Sequence, residues 1–139
     1  MTDEEKKILL KDLCARLPYG VNVYCEWSYL DNERGNDNGI LVDIDLFKDT
    51  ILFKRSSEKC TYTRILFNRL DCVVKPYLRS MSSMTEEEDT RRCAFLDDIE
   101  GGIDDAIPNY IDWLNAHHFD WRGLIPKGLA VEAEEGMYN

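Results

Sequence analysis

The first twenty residues carry the pattern of an amphipathic helix. Thr2 followed by Glu5 forms a capping box, which is a signature of a helix start. Apolar residues then recur at spacings of three and four until Pro18 and Gly20 end the pattern. The stripe predicted to pack against the rest of the protein consists of Leu9, Leu10, Leu13, Cys14 and Leu17.

From Val21 the pattern changes to strict alternation, which predicts a strand over Val21–Tyr29 with one buried face. The Asn38-Gly39 pair predicts a hairpin turn, because Asn-Gly readily adopts the positive φ angles that tight turns need. In the strand that follows it, one face is expected to hold Ile40, Val42, Ile44 and Leu46. Further β-rich runs cover Ile51–Arg55, Tyr62–Phe67 and Cys72–Leu78.

Two more helices are predicted in the second half of the chain. Thr85 and Glu88 form a second capping box, so a helix is expected over Asp89–Leu96, before Gly101-Gly102 breaks the pattern. A last helix is expected from about Asp104 to His118. Its predicted apolar face consists of Ile103, Ile107, Tyr110, Ile111, Leu114 and His118.

These elements predict an α+β fold. It comprises an N-terminal helix, a four- to five-stranded antiparallel sheet or small open barrel, and two C-terminal helices. The length of 139 residues suits a single domain, which we expect over residues 1–131. Residues 132–139 are expected to form a loose acidic tail.

The net charge of −10 is unevenly distributed along the chain. Residues 1–70 hold 12 acidic and 11 basic side chains, whereas residues 71–139 hold 15 and 6. Ten carboxylates lie between Glu86 and Asp112, where they would repel phosphate and attract a basic protein surface. We therefore expect no direct nucleic-acid binding. The alternatives are that these charges only keep one face of the protein in water, or that they form a metal site or mimic nucleic acid.

An aromatic-rich stretch near the C-terminus is the best candidate for a recognition site. Trp113, Trp121 and Arg122 are of the residue types that dominate protein interfaces. The alternative is that the aromatic rings close the core. His117 and His118 are adjacent on a helix and point about 100° apart, so we interpret them as packing or capping residues rather than as a metal-binding pair.

The sequence lacks the motifs that are typical of several functional classes. The chain contains no phosphate-binding glycine loop and no nucleophile motif, and the carboxylate spacing does not match a calcium loop. Its five cysteines contain no C-x-x-C pair and are expected to be thiols. The N-terminus does not look like a signal peptide, and no apolar run is long enough to span a membrane. We expect a cytoplasmic protein with no catalytic residues, cofactor, metal or membrane partner.

Two segments carry a resemblance to other proteins, namely PYLRSMSSMTEEE at Pro76–Glu88 and DWLNAHHFDWRGLI at Asp112–Ile125. With the Leu-Pro-Tyr-Gly run at Leu17–Gly20, they make the chain resemble a group of small uncharacterised proteins. These are encoded by Bacteroides-type gut bacteria and by their phages and mobile elements. The resemblance implies no particular activity, but small acidic products of such elements often bind and block host proteins.

The leading hypothesis is a non-catalytic intracellular binding protein that inhibits a host defence protein with a basic surface. The predicted partner-binding residues are Glu86, Glu87, Glu88, Asp89, Trp113, Trp121 and Arg122. If this is correct, at least one of Trp113, Trp121 and Arg122 should be substantially exposed. The alternatives are a protein that sequesters a nucleotide-like ligand between aromatic rings, and a hydrolase built from a facing pair of carboxylates.

Overall fold

A computed structural model describes residues 1–28, 34–58, 61–67 and 72–138 and confirms the predicted α+β fold. A short parallel strand near the C-terminus was not predicted. In chain order the helices and strands are α1 (Asp3–Arg16), β1 (Asn22–Ser28), β2 (Arg34–Asp45), β3 (Thr50–Arg55), β4 (Tyr62–Leu66), β5 (Val73–Leu78), α2 (Glu86–Glu100), α3 (Ala106–Ala116) and β6 (Val131–Glu132).

The strands form one open sheet in the order β4-β3-β2-β1-β5-β6. The first five strands pair antiparallel, and β6 pairs parallel with β5. The sheet does not close into a barrel, and the described strands number six rather than four or five. Among the described residues, no helix is both long and apolar enough to cross a lipid bilayer.

One face of the sheet is covered by α1 and by the irregular segment after α3. Leu9 and Leu13 of α1, together with Leu124 and Leu129 of that segment, belong to the main core. The buried side of α1 differs from the predicted stripe, since Cys14 is exposed. The side chains buried on α1 are Leu9, Asp12, Leu13 and Arg16.

The hairpin turn predicted at Asn38-Gly39 is wrong. Strand β2 begins at Arg34 and continues through this pair, and the connection from β1 falls in residues 29–33, outside the described part of the chain. Glycine is needed at position 39 for a different reason. A Cβ atom there would overlap the Lys54 carbonyl oxygen and the Phe53 ring.

The predicted inward face of β2 is also wrong in its first half. Leu41 is buried, whereas Ile40 and Val42 are exposed. The register of β2 against β3 shifts between Leu41 and Asp43, and Ile44 then packs against the core. Because successive side chains of a strand point to opposite faces, such a bulge changes which residues face inward, and alternation read from the sequence misses it.

Residues 132–138 do not form the loose tail expected from their sequence. Strand β6 pairs with the end of β5, and Tyr138 is fixed by its hydroxyl and by its ring. Its hydroxyl donates a hydrogen bond to the Tyr77 carbonyl oxygen at 2.6 Å and accepts one from the Asn22 amide at 3.0 Å. Its ring stacks on His118 with 3.9 Å between the ring centroids. This segment is therefore packed against the sheet.

Candidate protein-binding surface

The ends of α2 are set by the signals in its sequence. The Thr85 amide donates to a Glu88 carboxylate oxygen at 3.0 Å, and the Glu88 amide donates to the Thr85 hydroxyl at 3.2 Å. At the other end Gly102 adopts a φ of 71°, and the Ile103 amide donates to the Asp98 carbonyl at 3.0 Å. This is the hydrogen bond of a Schellman cap. α2 is therefore longer than predicted and stops at the predicted glycines.

α2 is attached to the protein by very few contacts. Phe95 is its one buried residue, at 8% exposure, and it lies outside the main core. Its ring packs against Tyr110 and Trp113 of α3, with centroid distances of 5.5 and 5.6 Å. Apart from this aromatic cluster, most of the surface of α2 faces water.

The second attachment of α2 is an ion pair at its N-terminal end. Arg79, which follows β5, donates two hydrogen bonds to the Glu88 carboxylate at 2.8 and 2.6 Å. These bonds are the main reason why the pKa of Glu88 falls from 4.5 to about 2. The Arg79 guanidinium also lies 4.3 Å from the centroid of the Phe119 ring. Both carboxylate oxygens of Glu88 are therefore bonded within the protein, and the pair holds the start of α2 in place.

α2 and α3 are consecutive helices that pack against each other, and we refer to the pair as the helical hairpin. Its connected ends present apolar side chains to water. Leu96, Ile103 and Ile107 are 41%, 61% and 57% exposed. The side of α3 that is buried runs through Ala106 and Leu114 instead. The apolar face predicted for this helix therefore extends beyond the core at Ile103 and Ile107, which leaves these two side chains without a described apolar cover.

Exposed carboxylates occupy the same short stretch of the chain. They are Asp97, Asp98, Glu100, Asp104 and Asp105. None of them forms a salt bridge with a residue that the structure describes. We refer to these five carboxylates and to Leu96, Ile103 and Ile107 as the acidic hairpin end.

The acidic residues predicted to bind a partner lie at the opposite end of α2. Since α2 has 15 residues, its two ends are about 20 Å apart. Glu86 and Glu87 are exposed, whereas Glu88 pairs with Arg79. Asp89 forms an exposed ion pair with Arg92 at 2.9 Å. Of this group, Glu86 and Glu87 are therefore the exposed charges without an ion pair to a described residue.

The three aromatic and basic candidates are all half-buried, so the expectation of a substantially exposed residue among them is not met. The Trp113 ring contacts rings on several sides, including those of Phe95 and Phe119. Trp121 donates a hydrogen bond to the Asn115 side chain at 2.9 Å, and the Arg122 guanidinium covers its ring at 4.1 Å. These side chains are mostly engaged within the protein.

Arg122 belongs to a buried ionic network that was not predicted from the sequence. The side chains of Asp12 and Arg16 are completely buried, and their nearest atoms are 2.9 Å apart. Arg122 reaches the second oxygen of Asp12 at 2.7 Å, while Arg16 donates to the Phe119 carbonyl at 2.6 Å. The available signal was the spacing of Asp12 and Arg16, which lie on the same side of α1 as Leu9 and Leu13.

The two histidines have different surroundings. The His117 Nδ1 atom lies 3.0 Å from the Trp113 carbonyl oxygen. His118 is 4% exposed and has a φ of 60°, and its Nδ1 atom has no hydrogen-bond partner among the described residues. Burial, reinforced by the positive charge of Arg16, lowers the pKa of His118 from 6.5 to about 4. His118 therefore packs as a neutral ring, in line with the prediction of a packing role.

The two buried carboxylates of the described chain both hold structure together. Asp12 lies between two arginines, and Asp120 accepts hydrogen bonds from the amides of Leu124 and Ile125 at 2.7 and 2.9 Å. Within residues 1–28, 34–58, 61–67 and 72–138, no three His, Cys, Asp or Glu side chains are grouped so as to hold a metal ion. Neither buried carboxylate is therefore free to act on a ligand, and the carboxylates that another molecule can reach are those exposed on the surface.

No protein-family model, no curated protein and no solved structure matches this chain.

Proposed function

We propose that this chain is a non-catalytic binding protein that docks a basic partner protein on the acidic hairpin end. The observation that carries the proposal is the exposure of Leu96, Ile103 and Ile107 in the same short stretch of the chain as five carboxylates without a described ion pair. Exposed apolar side chains in a stretch that carries charges of one sign suit a partner whose own surface combines apolar and basic groups.

The two kinds of residue contribute differently to such an interface. Covering Ile103 and Ile107 removes apolar surface from water, at roughly 25 cal/mol for each Å² covered. The carboxylates mainly raise the association rate and exclude acidic partners. Glu86 and Glu87, at the far end of α2, add to the same negative field. We therefore expect the aliphatic side chains to control the lifetime of the complex and the carboxylates to control its formation.

The remaining predicted residues support this surface indirectly. Glu88 holds the start of α2 against Arg79, and Trp113 packs against Phe95. Trp121 and Arg122 lie in the segment that contacts α1. In this proposal they position the hairpin, and the residues that touch the partner are those of the acidic hairpin end.

The resemblance to proteins of Bacteroides-type bacteria and their phages suggests the class of partner. We propose a host protein of such a bacterium, with inhibition of a defence factor as the biological outcome. The proposed docking surface does not depend on this assignment, because it rests only on the exposed apolar and acidic side chains of this chain.

The proposal is tested by affinity purification from a Bacteroides lysate with three immobilised proteins. These are the wild type, the double variant Ile103→Ser/Ile107→Ser, and the matched control Phe47→Ser. Phe47 is 97% exposed in the turn between β2 and β3, so its replacement also removes exposed apolar surface. A true partner is recovered by the wild type and by the control, but at least about tenfold less by the double variant.

The same partner, once purified, should bind more weakly as salt increases, because exposed charges are screened. It should also bind the triple variant Asp97→Asn/Asp98→Asn/Glu100→Gln with a lower association rate. Equal recovery of every protein by the wild type and by the double variant would rule out the acidic hairpin end as the docking surface.

A further inference from the structure

A groove with a volume of about 510 Å³ runs between the start of α1 and strand β5. Its lining includes apolar residues that are also part of the core, namely Leu9, Phe67, Val74 and Leu129. Lysines from three separate parts of the chain also line it, namely Lys6, Lys75 and Lys127. The groove is distant in sequence from the acidic hairpin end and has the opposite excess of charge.

One wall of the groove is the edge of β5, and among the described residues β6 pairs with only the last two residues of that edge. β6 pairs only with Tyr77 and Leu78 of β5, and the Ala133 amide donates to the Leu78 carbonyl at 2.7 Å. The main-chain groups of Leu78 therefore point toward β6. Because these groups alternate in direction along a strand, those of Val74 point to the same side. Those of Lys75 point to the opposite side, where it pairs with Tyr24 of β1.

No main-chain hydrogen bond found among the described residues joins Val74 to the segment 127–129, which lies across the groove. As far as the described residues show, Val74 thus directs one amide and one carbonyl without a main-chain partner into the groove, next to the place where β6 ends. Unpaired groups on a sheet edge are a template for another extended chain. A groove between such an edge and a helix is the geometry in which domains bind peptides by strand addition.

The charges around the groove favour an acidic occupant. Lys6 lies 5.9 Å from the centroid of the Phe67 ring, so its ammonium group is held above the apolar floor. Asp3 and Glu5 also line the groove, but both belong to the first turn of α1, where the positive end of the helix balances them. The Glu5 carboxylate in addition accepts a hydrogen bond from the Thr2 amide at 3.2 Å. The lysines are then the groups left to attract a ligand.

We propose that this groove binds an acidic, extended segment of a partner protein, which adds a strand to β5 beside β6. The segment would hydrogen-bond to Val74, place alternate apolar side chains on the floor, and direct carboxylates to the lysines. This site is independent of the acidic hairpin end and would allow the protein to hold two partner segments at once.

The first test uses synthetic peptides as probes. The reference probe is a fluorescein-labelled octapeptide with alternating glutamate and valine. Two control peptides have the same side chains but carry N-methyl groups on alternate amides: in one the odd-numbered amides are methylated, and in the other the even-numbered ones. In only one of these two phases do the methyl groups block the amides that would face Val74. A third control has lysine in place of glutamate. We expect both the N-methylated peptide in the correct phase and the lysine peptide to bind at least about tenfold more weakly in fluorescence polarisation.

Protein variants locate the binding on the chain. Lys6→Glu and Lys127→Glu should each weaken binding of the reference peptide by about tenfold, since each places an anion beside the probe. Lys54→Glu is the matched control, because Lys54 is exposed and is not part of the groove. This control should change the affinity by less than about threefold, because screening weakens distant charges.

Amide hydrogen exchange measured by NMR reports on the strand edge directly. In the free protein the Val74 amide should exchange faster than the amides of Val73 and Lys75, which face β1. With saturating reference peptide it should slow by at least about tenfold. A Val74 amide that is already as protected as its neighbours, or equal binding of both N-methylated peptides and the reference, would overturn strand addition. So would an absence of binding at millimolar peptide.

Discussion

The ionic network of Asp12, Arg16 and Arg122 and the acidic hairpin end are two charge-rich regions with opposite roles. In the network, Asp12 and Arg16 are completely buried, and both Asp12 oxygens are bonded to arginines. At the hairpin end the carboxylates are exposed and have no ion pair within the described chain. The network holds α1 to the C-terminal segment. α2 is held instead by Phe95 and, at the end away from the acidic hairpin end, by the pair of Arg79 with Glu88.

The difference between them shows that charge density alone does not indicate function. A buried charge needs its partner because an uncompensated ion is costly away from water, so its role is internal. An exposed charge loses little by being alone and remains available to another molecule. If this distinction is correct, disruption should be severe in the network, intermediate where the hairpin is attached, and negligible at the hairpin end.

The largest effect is expected for Arg16→Ala. The variant leaves a buried Asp12 carboxylate with only Arg122, and we expect it to lower the free energy of unfolding by about 3–5 kcal/mol. Urea unfolding followed by circular dichroism measures the change. The control Lys11→Ala, at an exposed position on the same helix, should change it by less than about 0.5 kcal/mol. Similar losses in both variants would contradict the assigned role of the network.

The next effect is expected for Phe95→Ala, which removes the one buried side chain of α2. We expect a loss of about 3 kcal/mol, confined largely to the hairpin. Hydrogen exchange should become faster at the amides of α2 while the amides of β1 and β2 stay protected. Leu96→Ala, one position further along the helix, should cost less than about 1 kcal/mol. Uniform loss of protection throughout the sheet would show that the hairpin is not a separate unit of stability.

A pH-dependent effect is expected from His118, whose pKa falls from 6.5 to about 4 on folding. Between these values the unfolded chain binds a proton that the folded protein does not, so stability falls as the pH decreases from about 6.5 to 4. The limit is about 3 kcal/mol, at 1.36 kcal/mol per pKa unit. His118→Asn suits the left-handed backbone and removes this titration. Urea midpoints at several pH values should therefore fall less steeply in the variant.

A smaller effect is expected from Glu88→Gln, where folding favours the charged form of the side chain instead of the neutral form. The folded pKa of Glu88 is lowered from 4.5 to about 2, so its contribution is complete above pH 4.5 and disappears as the pH falls toward 2. We expect the variant to lose about 1–2 kcal/mol at pH 7 and little at pH 2.5. Glu87→Gln is the exposed control and should behave like the wild type at both pH values. A difference that persists at pH 2.5 would point to packing rather than to charge.

The smallest effect on stability is expected at the hairpin end itself. The double variant Ile103→Ser/Ile107→Ser should unfold within about 0.5 kcal/mol of the wild type, because both side chains already face water. Together with a loss of partner recovery, this result separates a binding role from a structural one. A large loss of stability would instead show that the two isoleucines are part of the core.

Local signals predicted much of the fold. The two capping boxes begin α1 and α2 as expected, and Gly101-Gly102 ends α2. These predictions succeed because caps and glycine turns depend on hydrogen bonds within a few residues. The Asn38-Gly39 turn failed because Gly39 is constrained by Lys54 on the neighbouring strand, which no local pattern reports.

The candidate site was less predictable than the fold. The acidic character of residues 86–112 was visible in the sequence. The residues predicted from it to bind a partner were, however, Glu86–Asp89 with Trp113, Trp121 and Arg122, and not the acidic hairpin end. Arg122 is bound by Asp12, which is 110 residues away along the chain. Pairings over such distances are set by the packing of whole elements, so periodicity within one helix could not assign them.

By itself, the sequence determined where the helices begin, which runs form the main strands, and that negative charge accumulates after residue 70. Each of these properties depends on neighbours within a few positions. Only the tertiary structure decided which charges are buried, where β2 changes face, and that Ile103 and Ile107 remain in water. These outcomes depend on which surfaces meet after folding, because burial is a property of contacts between distant segments rather than of composition.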